Sequence, residues 1–262
     1  MDGSLDMPLP LRIIFCALRI VLLCAVAATC VPANAVTQKE VEAGAEHLYR
    51  ARVIEAQQSY QLDSDHAFLT RVQRVLFPLI DQAKRDYPES ADFAWEIHTI
   101  EATDESASCM AGGKLLVGQP YVARLELDDA ELAMLLSHEI EHAVLLHNLK
   151  EFREALRLEP ARQQQTFSEL EYAIDHDEGL MKKLSSLNAA QESEADHEGL
   201  LLAWRAGWPA QRLVNLYKKM AHADPAANFD SLEHPSAARR WQEMKSLSNE
   251  LNRKATNDAP QK

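Results

Sequence analysis

Residues 128–146 read DDAELAMLLSHEIEHAVLL, and this stretch decides the fold of the chain. Asp128 followed by Glu131 gives the acidic start that favours a helix N-terminus. Apolar residues then recur along one face at helical spacing, at Leu132, Leu135, Leu136, Ile140, Ala143 and Val144. The pattern predicts a long helix that ends near Leu146 and has one face in the protein core.

This helix carries the pentapeptide HEIEH, in which His138 and His142 are four positions apart. Residues with this separation lie on one face of an α-helix, so both imidazoles can bind the same Zn²⁺ through ring nitrogens. Glu139 lies on the metal-facing side, where its carboxylate can take a proton from water as a general base. We therefore predict one zinc ion per chain, with His138 and His142 as ligands and Glu139 as the catalytic base.

A catalytic zinc needs a third protein ligand and an open position. The segment QESEAD, residues 191–196, offers Glu192 and Asp196 one helical turn apart. Glu192 can bind zinc, and Asp196 can accept the remaining ring N–H of a ligand histidine. Glu194 lies about 200° around the helix from Glu192, so both cannot face the metal. Spacing leaves the rival pair Glu194 and Glu198 open, because it has the same geometry.

Taken together, these two motifs resemble the gluzincin family of zinc metallopeptidases that includes the CAAX prenyl proteases, HtpX-like proteases and soluble periplasmic relatives. That family pairs His-Glu-x-x-His with a later Glu-x-x-x-Asp, which residues 192–196 match. The resemblance covers roughly residues 65–245. It favours Glu192 as the third zinc ligand and Asp196 as the acceptor of the ring N–H of a ligand histidine. It implies a zincin-like domain.

The segment 106–114, SASCMAGGK, is similar to a family run that leads into an edge strand beside the cleft. The family has Asn-Ala and then Pro-Gly-Gly, where this chain has Ser106 for the Asn and Ala111 for the Pro. The resemblance implies that the following strand pairs with the extended substrate backbone. The implied substrate-binding residues are Leu115, Leu116, Val117 and Gly118.

His234-Pro235, followed by Arg240, resembles a family His-Pro element with an arginine six residues on. The resemblance implies that His234 and Arg240 lie near the metal. There His234 would stabilise the oxyanion or occupy the open zinc position in a resting state. The alternative is a loop histidine before a helix whose first position is Pro235.

The remaining pattern predicts a mainly helical α+β protein with a small sheet just before the motif helix. Helices are predicted over 37–60, 64–86 (with a candidate kink at Pro78), 189–206, 210–222 and 236–253, and strands over 93–99 and 114–122. We expect one metallopeptidase domain over 36–254, with 148–186 as a helical insert or lid, and a disordered tail over 255–262.

The N-terminus has the features of a secretory signal peptide over residues 1–35. Arg12 and Arg19 precede an apolar run, and Pro32-Ala33-Asn34-Ala35 supplies an Ala-x-Ala cleavage site. The run is short for a membrane span, which needs about 20 apolar residues. We expect export to the periplasm if the source is a Gram-negative bacterium. An uncleaved membrane anchor and lipidation at Cys30 are the alternatives.

The composition of the chain limits the classes of partner that it is expected to bind. The chain has 262 residues and a net charge of −13, which argues against nucleic acid and against electrostatic adhesion to anionic lipid.

Cys109 is the one cysteine after the predicted signal, and we expect it to be a buried apolar residue. Surface or structural roles are expected for the other histidines, His47, His66, His98, His147, His176, His197 and His222.

The predicted function is that of a zinc metalloendopeptidase acting on unfolded or misfolded polypeptide. A role in envelope protein quality control is implied by the resemblance alone. The competing class is a chaperone-like or adaptor module with a structural zinc and little proteolysis. Glu139 favours the enzyme, because a structural zinc site needs no base. The oligomeric state stays open.

Overall fold

A computed structural model of the chain describes residues 36–102, 106–223, 228–232 and 234–257. The predicted signal peptide, residues 1–35, lies outside the described residues, as does the end of the chain from residue 258. Among the helices that the structure describes, none has both the length and the apolar character that a membrane crossing requires.

The described residues form ten α-helices, two short 3₁₀-helices and three strands. In chain order the helices and strands are α1 Gln38–Gln58, α2 His66–Asp86, β1 Glu96–Ile100, β2 Ala107–Met110, β3 Lys114–Gly118, α3 Gln119–Arg124, α4 Asp129–Val144, α5 His147–Leu158, α6 Phe167–His176, α7 Glu178–Arg205, α8 Ala210–Leu213, α9 Asn215–Ala223 and α10 Ala237–Asn257. The 3₁₀-helices span Pro88–Asp92 and Pro160–Gln164. The prediction of a mainly helical α+β fold, with a small sheet before the motif helix, is confirmed.

The sheet has three strands in the order β1-β3-β2, so β3 is central. It pairs with β1 in parallel and with β2 antiparallel, and all five of its residues are buried. Gly112 and Gly113 form the turn before β3 with positive φ angles of 80° and 83°, which favour glycine. The predicted strand over 114–122 is too long, because the chain turns into α3 at Gln119 with Pro120 in its first turn.

The motif helix α4 is buried on nearly every side, with α7 on one side, α2 on another, and strand β2 against it. Its start matches the prediction: Asp128 accepts from the backbone N–H of Ala130 and Glu131, and the Glu131 carboxylate accepts from the Asp128 N–H at 2.8 Å. The predicted end is wrong by two residues. Helix α4 stops at Val144, because Leu146 takes a left-handed φ of 58° and α5 begins in a new direction.

The segment predicted as an insert contains α5, α6 and the first turns of α7. It has an apolar cluster of its own, formed by Phe152, Ala155, Leu156, Leu170, Ala173, Ile174, Leu180 and Leu184. The ring of Phe167 packs so closely on Gly44 of α1 that a Cβ on Gly44 would lie 2.2 Å from it. The segment is therefore packed against α1, and its action as a lid stays a prediction.

Two helix boundaries differ from the sequence pattern, and the candidate kink at Pro78 does not interrupt its helix. Helix α7 begins at Glu178 rather than near residue 189, because Asp177 caps it by accepting from the N–H of Gly179 and Leu180. Helix α2 continues through Pro78 to Asp86. Helix α10 runs to Asn257, so residues 255–257 of the predicted tail are helical.

Candidate metal centre

Three potential metal ligands converge where α4 crosses α7. Nε2 of His138 and Nε2 of His142 lie 3.1 Å apart. The Glu192 carboxylate approaches both rings, with Oε1 3.2 Å from His142 and Oε2 3.5 Å from His138. One ligand atom from each residue lies within 4.8 Å of the others. Two imidazole nitrogens and one carboxylate oxygen form a donor set that suits Zn²⁺, so the residues fit the predicted metal.

A glycine lets the two helices approach. Gly199 on α7 faces the backbone of α4, and a Cβ there would lie only 2.9 Å from the amide nitrogen of His138. Real Cβ atoms do not approach so closely. The absence of a side chain at Gly199 therefore brings Glu192 within reach of both histidines.

Asp196 holds the ring of His138 from the side opposite the metal ligands. Its Oδ1 lies 2.9 Å from Nδ1 of His138. Arg240 donates to the same carboxylate through Nε at 2.7 Å and Nη2 at 2.6 Å, and Tyr217 donates its hydroxyl at 2.6 Å. Burial raises the pKa of Asp196, but Arg240 outweighs this effect and holds the pKa below its ordinary value. The carboxylate is thus charged and fixed.

Sequence reasoning missed Tyr217, which is fully buried and lies under the guanidinium of Arg240 at 4.9 Å from ring centre to Cζ. Burial raises the pKa of its hydroxyl well above the ordinary value. It therefore remains a donor to Asp196. No motif surrounds Tyr217 in the sequence, and its apolar spacing on α9 is that of any core residue.

The other face of His142 is occupied by His147. The two Nδ1 atoms lie 3.1 Å apart, and Nε2 of His147 lies 3.2 Å from Oε2 of Glu194. His147 is 2% exposed, and burial lowers its pKa to about 4. The sequence predicted only a surface or structural role for His147. The break at Leu146 makes His147 the first residue of α5, where it is buried against His142.

The rival pair from the sequence lies away from the convergent ligands. Glu194 faces His147 and Lys150 rather than the ligand cluster. Glu198 is next to His197 at 2.9 Å and to Arg205 at 3.9 Å. The group that the structure brings together contains Glu192 and neither of these residues.

His234 lies at the open side of the cluster. Its Nδ1 is 2.9 Å from Oε2 of Glu192, and its side chain is 55% exposed. Arg240, six residues later on α10, reaches the same Oε2 at 3.5 Å. The residues implied by the family resemblance therefore lie beside the ligand set.

A cavity of about 350 Å³ opens beside the ligands. Glu139 lines it together with His138 and His234, and the apolar residues Tyr121, Leu135, Leu216, Met220 and Phe229 form much of its wall. Burial raises the pKa of Glu139, while the neighbouring histidines oppose the shift. A smaller polar cavity of about 190 Å³ lies on the His142 side, next to the insert. The ligand set thus has a cavity on each side.

Two residues near this group face elsewhere. Glu141 points away from the metal ligands and accepts the Tyr87 hydroxyl at 2.9 Å, and burial raises its pKa to about 8. Cys109 on β2 is buried, as predicted, and burial raises the pKa of its thiol.

The prediction that Leu115, Leu116, Val117 and Gly118 pair with the substrate backbone is wrong. These residues lie on β3, whose two hydrogen-bonding edges are occupied by β1 and β2. The outer strands of the sheet are β1 and β2, and of these β2, Ala107–Met110, is the one next to the larger cavity, because Ser106 just before it lines that cavity. A substrate strand can add only to an outer strand, which makes β2, and not β3, the candidate for this contact.

The site has two histidines and a glutamate on crossing helices, and a second glutamate lies beside the first histidine. This arrangement is that of a zinc metallopeptidase site. The sequence model of peptidase family M48 matches residues 69–248, and the chain belongs to this family. The match covers nearly the same residues as the gluzincin resemblance, which is confirmed. Zinc is the metal of this family, in agreement with the His138, His142 and Glu192 cluster.

Two relatives of the chain are both named mitochondrial metalloendopeptidase OMA1. The chain is 28% identical to the Arabidopsis thaliana protein over 151 residues, which are 56% of this chain and 30% of that protein. It is 22% identical to the Saccharomyces cerevisiae protein over 200 residues, which are 70% of this chain and 56% of that protein. The chain spans less than two thirds of the length of either relative.

Proposed function

We propose that this protein is a zinc-dependent endopeptidase that cleaves unfolded or misfolded polypeptides. The observation that carries the proposal is the position of Glu139, which lines an open cavity directly beside the convergent His138, His142 and Glu192. A structural zinc site has no need of a carboxylate in a cavity next to the metal. Both relatives are named as metalloendopeptidases, which supports the same reaction class.

In this mechanism His138, His142 and Glu192 hold the zinc. Bound there, Zn²⁺ supplies Lewis-acid chemistry, lowering the pKa of water and polarising the scissile carbonyl. Glu139 takes the proton of the attacking water on its carboxylate and passes it to the leaving amine. Its raised pKa suits this exchange, because a base with a pKa nearer neutrality both accepts and returns a proton readily.

Asp196 and Arg240 act through His138. The Asp196 carboxylate accepts the Nδ1 proton, which leaves Nε2 of His138 free to bind metal, and Arg240 keeps that carboxylate charged. We assign His234 to the developing oxyanion, because its exposed ring lies beside Glu192 at the mouth of the cavity. From the same position, His234 would also be able to bind the zinc in a resting state.

We propose that the substrate binds as an extended strand along β2, with apolar side chains in the larger cavity. Extended binding requires a chain that is locally unfolded, since folded substrates have already paired their backbone groups. The outer position of β2 in the sheet and the apolar wall beside Glu139 support this substrate class.

We further propose that residues 1–35 direct export and that the enzyme acts in protein quality control in the bacterial envelope. The signal-like sequence is the support for this compartment. N-terminal sequencing of the mature protein tests it: a new N-terminus at Val36 is expected. A retained N-terminus would point to the anchored alternative.

The test of the enzymatic proposal is casein cleavage by the purified protein and by Glu139→Gln. We expect Glu139→Gln to retain zinc and lose cleavage by several orders of magnitude. Glu141→Gln is the matched control, because it makes the same change on the same helix at a carboxyl group that faces Tyr87. Undiminished cleavage by Glu139→Gln would contradict the assigned role.

The alternative is a zinc-containing chaperone or adaptor that binds polypeptide without cleaving it. It is favoured by the short distance between His234 and Glu192, which allows His234 to close the metal site. If the alternative holds, His234→Ala remains inactive and all variants suppress the aggregation of an unfolded protein equally. If His234 closes the metal site in the resting state, His234→Ala raises cleavage; if His234 stabilises the oxyanion, the same variant reduces cleavage without abolishing it.

A further inference from the structure

The second histidine ligand, His142, contacts a residue that lies outside both metal-binding motifs. Nδ1 of His142 lies 3.1 Å from Nδ1 of His147, and Nε2 of His147 lies 3.2 Å from Oε2 of Glu194. We propose that His147 is a positioning residue of the metal site. It holds the ring of His142 through a chain of two hydrogen bonds that ends on Glu194.

The direction of both hydrogen bonds follows from metal binding. Nε2 of His142 faces His138 and Glu192, so this nitrogen offers its lone pair to zinc and Nδ1 carries the ring proton. Nδ1 of His142 therefore donates, and Nδ1 of His147 accepts. A neutral imidazole that accepts at Nδ1 carries its own proton at Nε2, and His147 donates this proton to the Glu194 carboxylate.

His147 is held in place by the helix that supplies the third ligand. It is buried, and its backbone carbonyl accepts from Nε2 of Gln191 at 3.1 Å. Gln191 immediately precedes Glu192 on α7, and Glu194 follows two residues later. One helical segment thus binds both the backbone and the side chain of His147 while presenting Glu192 to the metal.

The two histidine ligands are therefore supported in different ways. His138 donates directly to the Asp196 carboxylate, whereas His142 reaches a carboxylate through a second imidazole. Such partners fix the ring of a ligand histidine and raise its basicity, and their loss typically lowers metal affinity or activity about 10- to 100-fold. The inference rests on the proposed ligand set and not on proteolysis.

The experiment measures zinc affinity by competition between the metal-free protein and a chromophoric chelator. His147→Phe keeps a ring of similar size and removes both hydrogen bonds, so we expect zinc to bind about 10- to 100-fold more weakly. His147→Asn places an amide oxygen near the position of Nδ1, and we expect it to recover most of the affinity. This rescue separates hydrogen bonding from the filling of space.

His98→Phe is the matched control, and its zinc affinity should equal that of the wild type. His98 is also partly buried and bonded to a carboxylate, with Nδ1 2.6 Å from Asp63, but it has no contact with the ligand set. Urea unfolding in the presence of chelator reports how far each variant destabilises the metal-free fold. Glu194→Leu alters the more exposed end of the chain of hydrogen bonds, so it tests the proposal even if His147→Phe does not fold.

Wild-type zinc affinity in folded His147→Phe or Glu194→Leu would overturn the proposal, and so would an equal loss in His98→Phe. The ligand set is tested separately, because His142→Ala must itself weaken zinc binding. If zinc binds as expected and casein is not cleaved, the proposed function fails while the role of His147 stands.

Discussion

Replacing Gly199 with alanine is expected to weaken zinc binding by forcing apart the helices that carry the ligands. A methyl group on Gly199 would lie 2.9 Å from the amide nitrogen of His138 and 3.1 Å from the carbonyl carbon of Ser137. Both contacts are with the backbone of the buried helix α4, which cannot turn away as a flexible side chain can.

The size of the effect follows from these distances. Ordinary contacts between carbon atoms are about 3.5 Å, so the helices must separate by about 0.6 Å. Zinc–ligand distances tolerate about 0.2 Å of deviation. A shift of this size between Glu192 and the two histidines exceeds that tolerance, and we expect zinc affinity and casein cleavage to fall about 10-fold or more.

Two opposing effects change the free energy of unfolding of the metal-free protein. Overpacking a core contact costs about 1–3 kcal/mol, and alanine recovers about 1 kcal/mol through its higher helix propensity. Chelator competition and urea unfolding measure the two effects separately.

Gly179→Ala is the control, because it makes the same change on α7 where the new methyl group meets only the Asp177 side chain. Its zinc affinity should be unchanged. Wild-type zinc affinity in Gly199→Ala would refute the argument that this close approach sets the ligand geometry.

Three further predictions follow from other contacts. Arg240→Met leaves the buried Asp196 carboxylate without its cation, so the free energy of unfolding should fall by about 3–5 kcal/mol. Arg240→Lys should recover little of this free energy, because lysine cannot make the two hydrogen bonds that Arg240 donates to Asp196. Full recovery by lysine in urea unfolding would contradict this. The hydrogen bonds from Arg50, opposed by burial and aided by Lys114, lower the pKa of Glu96 to about 2. Because this folded-state pKa lies below the ordinary value, the stabilisation from Glu96 is present above about pH 4.5 and is lost as the pH falls toward 2. Glu96→Gln should therefore flatten the acid limb of a plot of unfolding midpoint against pH. Removing zinc with a chelator should abolish cleavage and lower the thermal midpoint, since a ligand at a hundred times its dissociation constant contributes about 2.7 kcal/mol; an unchanged midpoint in a protein shown to have bound zinc would contradict this.

The sequence determined the metal site in large part because its residues act through local helical geometry. His138 and His142 share a face of α4 whatever the rest of the fold does, since residues four apart always do. The same argument made Glu192 and Asp196 a pair, and the structure brings both to the cluster. The apolar spacing of residues 128–146 likewise predicted the buried helix.

Spacing could not choose between Glu192 with Asp196 and Glu194 with Glu198, because both pairs have identical local geometry. The choice depends on how α7 is rotated against α4, and the close contact at Gly199 fixes that rotation. The sequence could not predict the order of the strands for a similar reason. Pairing between β1 and β3 joins segments that are separated along the chain, so nothing local showed that β3 is central and that β1 and β2 are the outer strands.

By itself, the sequence determined the zinc-binding helix, the candidate third ligand and the family, because these depend on residue types at short, regular spacings. Only the tertiary structure decided that His147 supports His142 and that Tyr217 holds Asp196. The left-handed turn at Leu146 folds His147 back against the helix that it follows, and the packing of α9 brings Tyr217 under Arg240. Both contacts join separate helices, and such contacts are set by packing rather than by any pattern along the chain.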